Sequence, residues 1–430
     1  MLLQRGDLAV ALRDELVVQA LDRPAHCVAQ QAAEQASHDL VAQVSHNRLR
    51  AGPNPAAQAT RQRAGRAQPS ISSREAADTS DRRVTRLHPE ALTGDYGHRL
   101  GRLTGAQLQA AVDGFDLGRL VGASPIPGGQ FGQNVQLSTE SGEWILRGCP
   151  HYDWQFPRER YFASQIASRS PIRAPWPYLI EPSREIFGWS YALMPYLPGL
   201  QLSDPAVRAR LTPAEETAIA RALGTGLTML HELTWTHAGA YALKADDVVP
   251  YAVGHRERVL GEIDDLVSQC GRLDSLSDSD LHWLRWLLKH NQAALDVPFQ
   301  PTLVHHDFTT SNVVVNRSST PWTLGGVFDL MEAYVGDPEE DLVRAPFNYT
   351  SRRPGLAQDF LRAYISRRPL RADATRRLRL YILRDCLLVW DFGHRFGKEW
   401  VASAPGFRQW AEPLVGQDFA AIGRSPSNQD

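Results

Sequence analysis

Short runs of alternating or β-branched residues, separated by glycine and proline, dominate the chain between residues 117 and 197. Alternation with a period of two, bounded by turn residues, is typical of strands in a small antiparallel sheet. One stretch among them, 157–168, instead spaces its apolar residues three and four apart and begins at a proline, which suits the first turn of a helix. The pattern therefore predicts one helix and five strands. The predicted strands are 117–124, 134–141, 143–148, 176–181 and 190–197.

After Pro213 the apolar residues recur three and four positions apart, which is typical of helices that bury one face. A short β-rich stretch near residues 303–330 interrupts these helices and forms one small β patch. Strands followed by helices predict an α+β protein with two lobes. We expect a small antiparallel-sheet N-lobe over 87–198 and a larger helical C-lobe over 199–430. The predicted helices are 216–233, 255–267, 280–295, 356–365 and 376–396.

The first 86 residues differ from the rest of the chain. Between residues 51 and 86 almost no large apolar side chain occurs. Such a segment cannot bury enough surface to offset the entropy lost on ordering. We therefore expect residues 1–86 to form a disordered or dispensable extension.

The composition of the chain argues against several classes of function. The 430 residues carry a formal net charge of −2, without a dense block of lysine and arginine, so no nucleic-acid partner is expected. No apolar run approaches the roughly 18 residues that would predict a membrane span. The four cysteines lie far apart without a CxxC pair, which argues against zinc and disulfides and fits the cytoplasm. Monomer and homodimer both remain open.

Polar residues interrupt the β patch in the sequence LVHHDFTTSNVVVN, residues 303 to 316. Asp307 and Asn312 lie on one loop, and Asp329 ends the next strand. If these strands form a hairpin, the three side chains converge at its end. Carboxylate and amide oxygens suit Mg²⁺, and phosphoryl transfer needs one free and one metal-bound carboxylate. The spacing therefore predicts a phosphoryl-transfer site.

Several motifs in order resemble those of the aminoglycoside phosphotransferase and choline kinase group, the small-molecule relatives of protein kinases. HHDFTTSN resembles the HxDxxxxN catalytic loop of that group, and VFDLMEAYVGDPEEDLVR the segment that follows it. Upstream, PGGQFGQNVQL resembles the glycine-rich turn of the group. WILR ends where the group usually has its phosphate-contacting lysine, and YALMPYLPG resembles the hinge whose backbone holds adenine. The resemblance covers about residues 115 to 345 and implies a protein-kinase-like fold with ATP and Mg²⁺ between the lobes.

The resemblance also implies roles for single residues. Asp307 is the expected catalytic residue that orients the acceptor hydroxyl, and Asn312 and Asp329 are the expected magnesium ligands. Arg147 is expected to face the phosphates with Glu159 as its ionic partner, and 193–197 to form the hinge. The expected nucleotide-binding residues are Gly128, Gly129, Gly132, Arg147, Glu159, Met194 and Tyr196.

Four residues at three places depart from the family pattern. Arg147 stands where the group has lysine, His306 where it usually has glycine, and Leu330-Met331 alter the residues that follow the metal-binding aspartate. An arginine guanidinium can donate to two phosphate oxygens at once, whereas a lysine ammonium acts as a single point charge. These departures support an alternative function, a catalytically inactive nucleotide-binding module. A weaker alternative is a metal hydrolase that uses His305, His306 and Asp307.

The expected reaction is the transfer of the γ-phosphate of ATP to a hydroxyl of a small molecule, such as an antibiotic, a sugar or an amino alcohol. The acceptor site of the group lies among the C-terminal helices, where acidic residues bind polycationic antibiotics. Here residues 351–430 contain 14 Lys+Arg against 8 Asp+Glu, which does not favour a polycation. Asp385, Asp391 and Glu399, set among aromatic residues, are acceptor-site candidates, although an amphipathic core helix explains these aromatic residues equally well.

Overall fold

The structure, a computed structural model, describes residues 92–97, 99–126, 133–317, 321–344 and 353–417. The expected N-terminal extension lies outside the described residues. Gly128, Gly129 and Gly132, the glycines of the expected phosphate-binding turn, also lie outside them.

A small N-terminal unit, which the sequence pattern did not predict, precedes the sheet. Strands β1 (Gly94–Asp95) and β2 (Arg102–Leu103) pair antiparallel and lead into helix α1 (Gly105–Asp113). Thr104 and Gln107 form a capping box that satisfies backbone N–H groups at the start of the helix. Strands of two residues are too short to show alternation, so the pattern could not reveal them.

The predicted antiparallel sheet is confirmed, with five strands in the order β3-β4-β5-β7-β6. One face of the sheet packs with α1 in a hydrophobic cluster that contains Leu108, Val135 and Leu146. The strands are β3 (Leu120–Pro125), β4 (Asn134–Thr139), β5 (Gly142–Gly148), β6 (Leu179–Glu181) and β7 (Tyr191–Pro195).

Helix α2 (Gln155–Arg169) carries Glu159 and joins the two lobes. It begins two residues before the predicted start at Pro157, because proline is tolerated anywhere in the first turn. Its buried residues Phe162 and Ile166 belong to the large hydrophobic cluster of the helical lobe. The helix is therefore packed against the helical lobe although it follows the sheet in sequence.

The predicted helices of the C-lobe are all present. The longest, which contains Asp385, is buried along most of its length in the centre of the lobe. The helices are α3 (Pro205–Arg210), α4 (Pro213–Leu230), α5 (His255–Arg272), α6 (Asp278–Asn291), α7 (Pro354–Arg367), α8 (Ala374–Arg395), α9 (Glu399–Ser403) and α10 (Phe407–Val415). None of the helices in the described residues is both long and apolar enough to cross a bilayer.

The prediction of one small β patch in the C-lobe is wrong, because the described residues form two small sheets there. One has three strands in the order β13-β12-β8, and the other four in the order β10-β9-β14-β11. Residues 239–242 and 247–250, which form β9 and β10, are only four residues each and do not alternate apolar and polar side chains, so they lack a strand signature. The strands are β8 (Leu200–Gln201), β9 (Gly239–Ala242), β10 (Asp247–Pro250), β11 (Thr302–Val304), β12 (Val313–Arg317), β13 (Trp322–Val327) and β14 (Tyr334–Gly336).

Candidate functional site

The hairpin of β12 and β13 brings Asn312 and Asp329 to one end. Val313 pairs with Val327 at that end, and the N–H of Phe328 donates to the carbonyl oxygen of Asn312 at 3.0 Å. Asn312 directly precedes β12, and Asp329 follows β13 by two residues. The two side chains that the sequence assigns to a metal therefore flank the same end of the hairpin.

The carboxylate of Asp307 is held on both of its oxygens. The Asn312 amide Nδ2 donates to Oδ2 at 2.7 Å and to the Asp307 carbonyl at 3.0 Å. Arg344 Nη1 donates to Oδ1 at 2.8 Å. Burial raises the pKa of Asp307, and the Arg344 guanidinium opposes this rise. The carboxylate is therefore fixed in orientation, with a cation in contact.

Arg147 on β5 connects the sheet lobe to the hairpin. Its Nη2 lies 2.9 Å from Asp329 Oδ1 and 3.3 Å from Glu159 Oε1. Glu159 also accepts hydrogen bonds from Tyr178 Oη at 2.9 Å and Gln155 Nε2 at 3.3 Å. Burial raises the pKa of Glu159 to about 7 against the opposing charge of Arg147, and the nearby Asp329 carboxylate raises it further. The structure thus brings Arg147, Glu159 and Asp329 together in one partly buried group of charges.

Two oxygens at the hairpin end are available to a cation. Asn312 Oδ1 and Asp329 Oδ2 accept no hydrogen bond from a described residue. The Asp329 side chain is 27% exposed, and its backbone lies in the left-handed region with φ +59°. No group of three or more His, Cys, Asp or Glu surrounds a common metal position within the described residues. Two oxygen ligands fit Mg²⁺, which retains waters and binds substrate phosphates for its other positions.

Asp341 supports the loop that carries Asp307. Its carboxylate accepts the backbone N–H of His305 at 2.8 Å and of His306 at 2.7 Å, and it lies 3.1 Å from Nε2 of His231. Sequence analysis missed this role, because no local motif connects residues 36 positions apart. The nearby Asp337 does cap the short helix that starts at Pro338, as its turn sequence indicates.

The two histidines before Asp307 have different surroundings. His305 Nε2 lies 3.1 Å from the carbonyl oxygen of Phe328 and so connects the loop to the end of β13. His306 has φ +64°, a conformation that favours glycine. Its ring contacts Tyr334 edge to face, and Arg384 Nη2 lies 3.3 Å from its Nε2. The left-handed backbone gives a physical reason for glycine at this position in similar loops.

The expected hinge is the end of β7 and the residues that follow. Met194 is buried and pairs with Ile145 of β5. The N–H of Tyr196 donates to the carbonyl oxygen of Glu143 at 3.0 Å, so this group is engaged by the sheet. The contact of Met194 and Tyr196 with a nucleotide stays a prediction.

The acceptor-site candidates on and after α8 divide into two groups. Asp385 accepts a hydrogen bond from Arg344 Nε at 3.2 Å and so lies beside Asp307. Asp391 instead pairs with Arg395 at 2.7 Å, and no contact between described residues brings it to Asp307, so the structure does not join this candidate to the site. The surrounding aromatic residues form a buried cluster in the core, which contains Trp390, Trp400, Phe407 and Trp410. These aromatic residues are therefore explained by packing in the hydrophobic core.

The chain matches the model of the phosphotransferase enzyme family (APH) over residues 122–381. A GDP complex of a mutant of aminoglycoside 2′-phosphotransferase-IIIa is similar with a TM-score of 0.51 and 16% identity, over 74% of this chain and 99% of that chain. A ternary complex of ADP, hygromycin B and a thermostable mutant of APH(4)-Ia gives a TM-score of 0.51 and 18% identity, over 74% and 98%. The GDP and kanamycin complex of APH(2″)-IIIa gives 0.50 and 15%, over 71% and 96%. No curated protein sequence matches the chain.

Proposed function

The chain belongs to the phosphotransferase enzyme family, as its motifs predicted, and from this premise we propose that it transfers the γ-phosphate of ATP to a hydroxyl group of a small molecule. The observation that carries the proposal is the meeting of Asp307, Asn312 and Asp329 at one hairpin end, with Arg147 in contact from the sheet lobe. This arrangement offers one carboxylate for the acceptor and a separate carboxylate and amide for a metal.

Asn312 Oδ1 and Asp329 Oδ2 are the oxygens that would hold Mg²⁺. When bound, the ion supplies positive charge that offsets the charge of the nucleotide phosphates. The chain's own contribution is to fix these oxygens. Asn312 is held through its amide nitrogen by Asp307, and Asp329 through Oδ1 by Arg147.

Arg147 has a second part in the proposal. Its Nη2 is engaged by Glu159 and Asp329, whereas its Nη1 donates to no described residue. We assign Nη1 to a phosphate oxygen, because a guanidinium offers five N–H donors in a fixed fork. Glu159, itself held by Tyr178 and Gln155, keeps the guanidinium in place.

Asp307 acts on the acceptor. Its carboxylate accepts a hydrogen bond from the acceptor hydroxyl and takes the proton as the new O–P bond forms and the bond from the γ-phosphorus to the β–γ bridging oxygen breaks, which releases ADP. The Asn312 amide already donates to Asp307 Oδ2. The acceptor hydroxyl therefore approaches Asp307 Oδ1, which also accepts a hydrogen bond from Arg344. The contact with Arg344 favours the ionised carboxylate that this role requires.

The test is transfer of label from [γ-³²P]ATP in the presence of Mg²⁺, with the full chain and a panel of hydroxylated antibiotics, sugars, cyclitols and amino alcohols. We expect labelled product with at least one acceptor and no labelled product without an acceptor. Binding of Mg·ATP without transfer to any acceptor would contradict the proposal and favour an inactive nucleotide-binding module. The absence of nucleotide binding would contradict both.

A further inference from the structure

The carboxylate of Asp385, which shares Arg344 with Asp307, is neutralised by that arginine. Arg344 bridges the two acidic groups, with Nη1 2.8 Å from Asp307 Oδ1 and Nε 3.2 Å from Asp385 Oδ2. The side chains of Arg344 and Asp385 are 12% and 6% exposed. A guanidinium therefore occupies the space beside the catalytic carboxylate, where an acceptor must enter.

Two further carboxylates near this loop, those of Glu340 and Glu262, are neutralised in the same way. Glu340 lies 2.7 Å from Arg258 and 2.6 Å from Arg384. Glu262 lies 2.7 Å and 2.9 Å from the same two arginines. Arg384 also reaches His306, the residue before Asp307. Two arginines and two glutamates thus form a charge-balanced group directly behind the loop.

These pairs disfavour a positively charged acceptor. A bound ammonium group would have to replace an arginine at its carboxylate and leave a buried guanidinium without its partner, which is costly. An ammonium group placed beside Asp307 would also meet the like charge of Arg344. A neutral hydroxyl suffers neither penalty.

We propose that the acceptor is an uncharged polyhydroxylated molecule of the sugar or cyclitol class, and that Arg344 is the residue that discriminates against positive charge next to the reacting hydroxyl. This inference rests on the proposed function, because it concerns the acceptor of the same reaction. Arg344 acts both through Asp307, which it positions, and through its own charge.

Matched pairs of acceptors test the inference. Each pair consists of a sugar or cyclitol and the analogue in which one hydroxyl is replaced by an amino group, for example glucose and glucosamine. The measured quantity is the ratio of kcat/KM for the uncharged member to that for the aminated member. For the unaltered protein we expect a ratio above one in each pair that is turned over.

Variants of Arg344 distinguish its discrimination against charged acceptors from its role in positioning Asp307. In Arg344→Gln the ratio should fall by about tenfold or more, because Asp307 and Asp385 lose their shared cation. Arg344→Lys, which keeps the charge, should preserve the ratio even if both rates decline. Arg395→Gln removes an arginine that pairs with Asp391 within helix α8 and should leave the ratio unchanged.

The possible outcomes are distinct. A preference of the unaltered protein for aminated acceptors, or an equal decline for both members of each pair in Arg344→Gln, would overturn the inference and leave the proposed function in place. Binding of Mg·ATP without turnover of any acceptor would contradict the proposed function, and the inference with it.

Discussion

Asp341 shows how a residue outside the expected catalytic set can determine activity. An aspartate can accept the N–H groups of His305 and His306 on separate oxygens, as observed here. An asparagine at this position offers one acceptor oxygen and presents an NH₂ group to the other donor. The loop that carries Asp307 would then have to shift.

We therefore predict that Asp341→Asn lowers kcat by about 10²-fold, because a displacement of about 1 Å at a catalytic group costs that much. The affinity for Mg·ATP should change little. Asp280→Asn is the matched control, since Asp280 also accepts two backbone N–H groups, those of Ser277 and Arg408, at the start of a distant helix. Steady-state kinetics and nucleotide titration of both variants make the comparison. Equal kcat in the two variants would show that Asp341 does not position the loop for catalysis.

How much of the site the sequence reveals depends on the distance over which its contacts form. Asp307 and Asn312 lie five residues apart on one loop, and together with Asp329 after the next strand their spacing predicts a phosphoryl-transfer site. Arg344 and Asp307 lie 37 residues apart in two separate motifs, and the spacing within each motif does not predict their contact. Such pairs become visible only when the helical lobe is folded, because the fold and not the local sequence brings them together.

Helices α5 and α8 are joined by a buried contact that should make stability depend on pH. His255 Nε2 lies 2.7 Å from the hydroxyl of Tyr381. Burial lowers the pKa of His255 to about 4, aided by the charge of Arg258 and opposed by Glu340, Asp337 and Glu262. A histidine with a pKa below its unfolded value of 6.5 favours the folded state only while it is neutral.

Its contribution to stability should therefore be complete above about pH 6.5 and decline as the pH falls towards 4. We predict that the difference in free energy of unfolding between the unaltered protein and His255→Gln shrinks over this range by on the order of 2 kcal/mol. Chemical denaturation at a series of pH values measures it. A difference that stays constant, or grows as the pH falls, would contradict this account of His255.

Helices α4 and α7 approach closely at Gly224. A Cβ built there would lie 2.2 Å from the carbonyl oxygen of Phe360, which is backbone and cannot move aside alone. Gly261 on α5 has no such neighbour within 4 Å. The two glycines occupy helices of similar length but have opposite surroundings.

We predict that Gly224→Ala destabilises the protein by about 1–3 kcal/mol, because overpacking forces the helices apart. Gly261→Ala should instead be stabilising by about 0.5–1 kcal/mol, since alanine loses less backbone entropy in a helix. Urea unfolding of the two variants tests the pair. A stabilising Gly224→Ala would show that α4 and α7 do not approach as closely as described.

The helices were predictable because each repeats its apolar residues over many turns. The strands of the N-lobe were predictable because they alternate. The strands β9 and β10 were missed because each has only four residues, GAYA and DVVP, which show neither period. Their pairing requires a glycine at the start of β9, because a Cβ built on Gly239 would lie 2.0 Å from the carbonyl oxygen of Val249.

The two lobes are joined where the chemistry is expected. Arg147 of the sheet contacts Asp329, and Arg158 of α2 donates to the carbonyl oxygen of Met331 at 3.1 Å. Both contacts reach the segment that follows β13. The apolar face of α2 meanwhile packs into the core of the helical lobe. The position of Asp329 is therefore coupled to the sheet lobe, whose expected task is to hold the nucleotide.

The most direct test of the account is the turnover of Asp307→Asn compared with Asp391→Asn, measured with the acceptor that the panel identifies. Asp391 provides the matched control, because it is also a buried aspartate paired with an arginine but does not contact Asp307, Asn312 or Asp329. We predict that Asp307→Asn lowers kcat by on the order of 10²-fold or more at unchanged affinity for Mg·ATP, as expected for a lost general base. Asp391→Asn should retain kcat. Full turnover in Asp307→Asn would contradict the assignment of the catalytic carboxylate and, with it, the proposed mechanism.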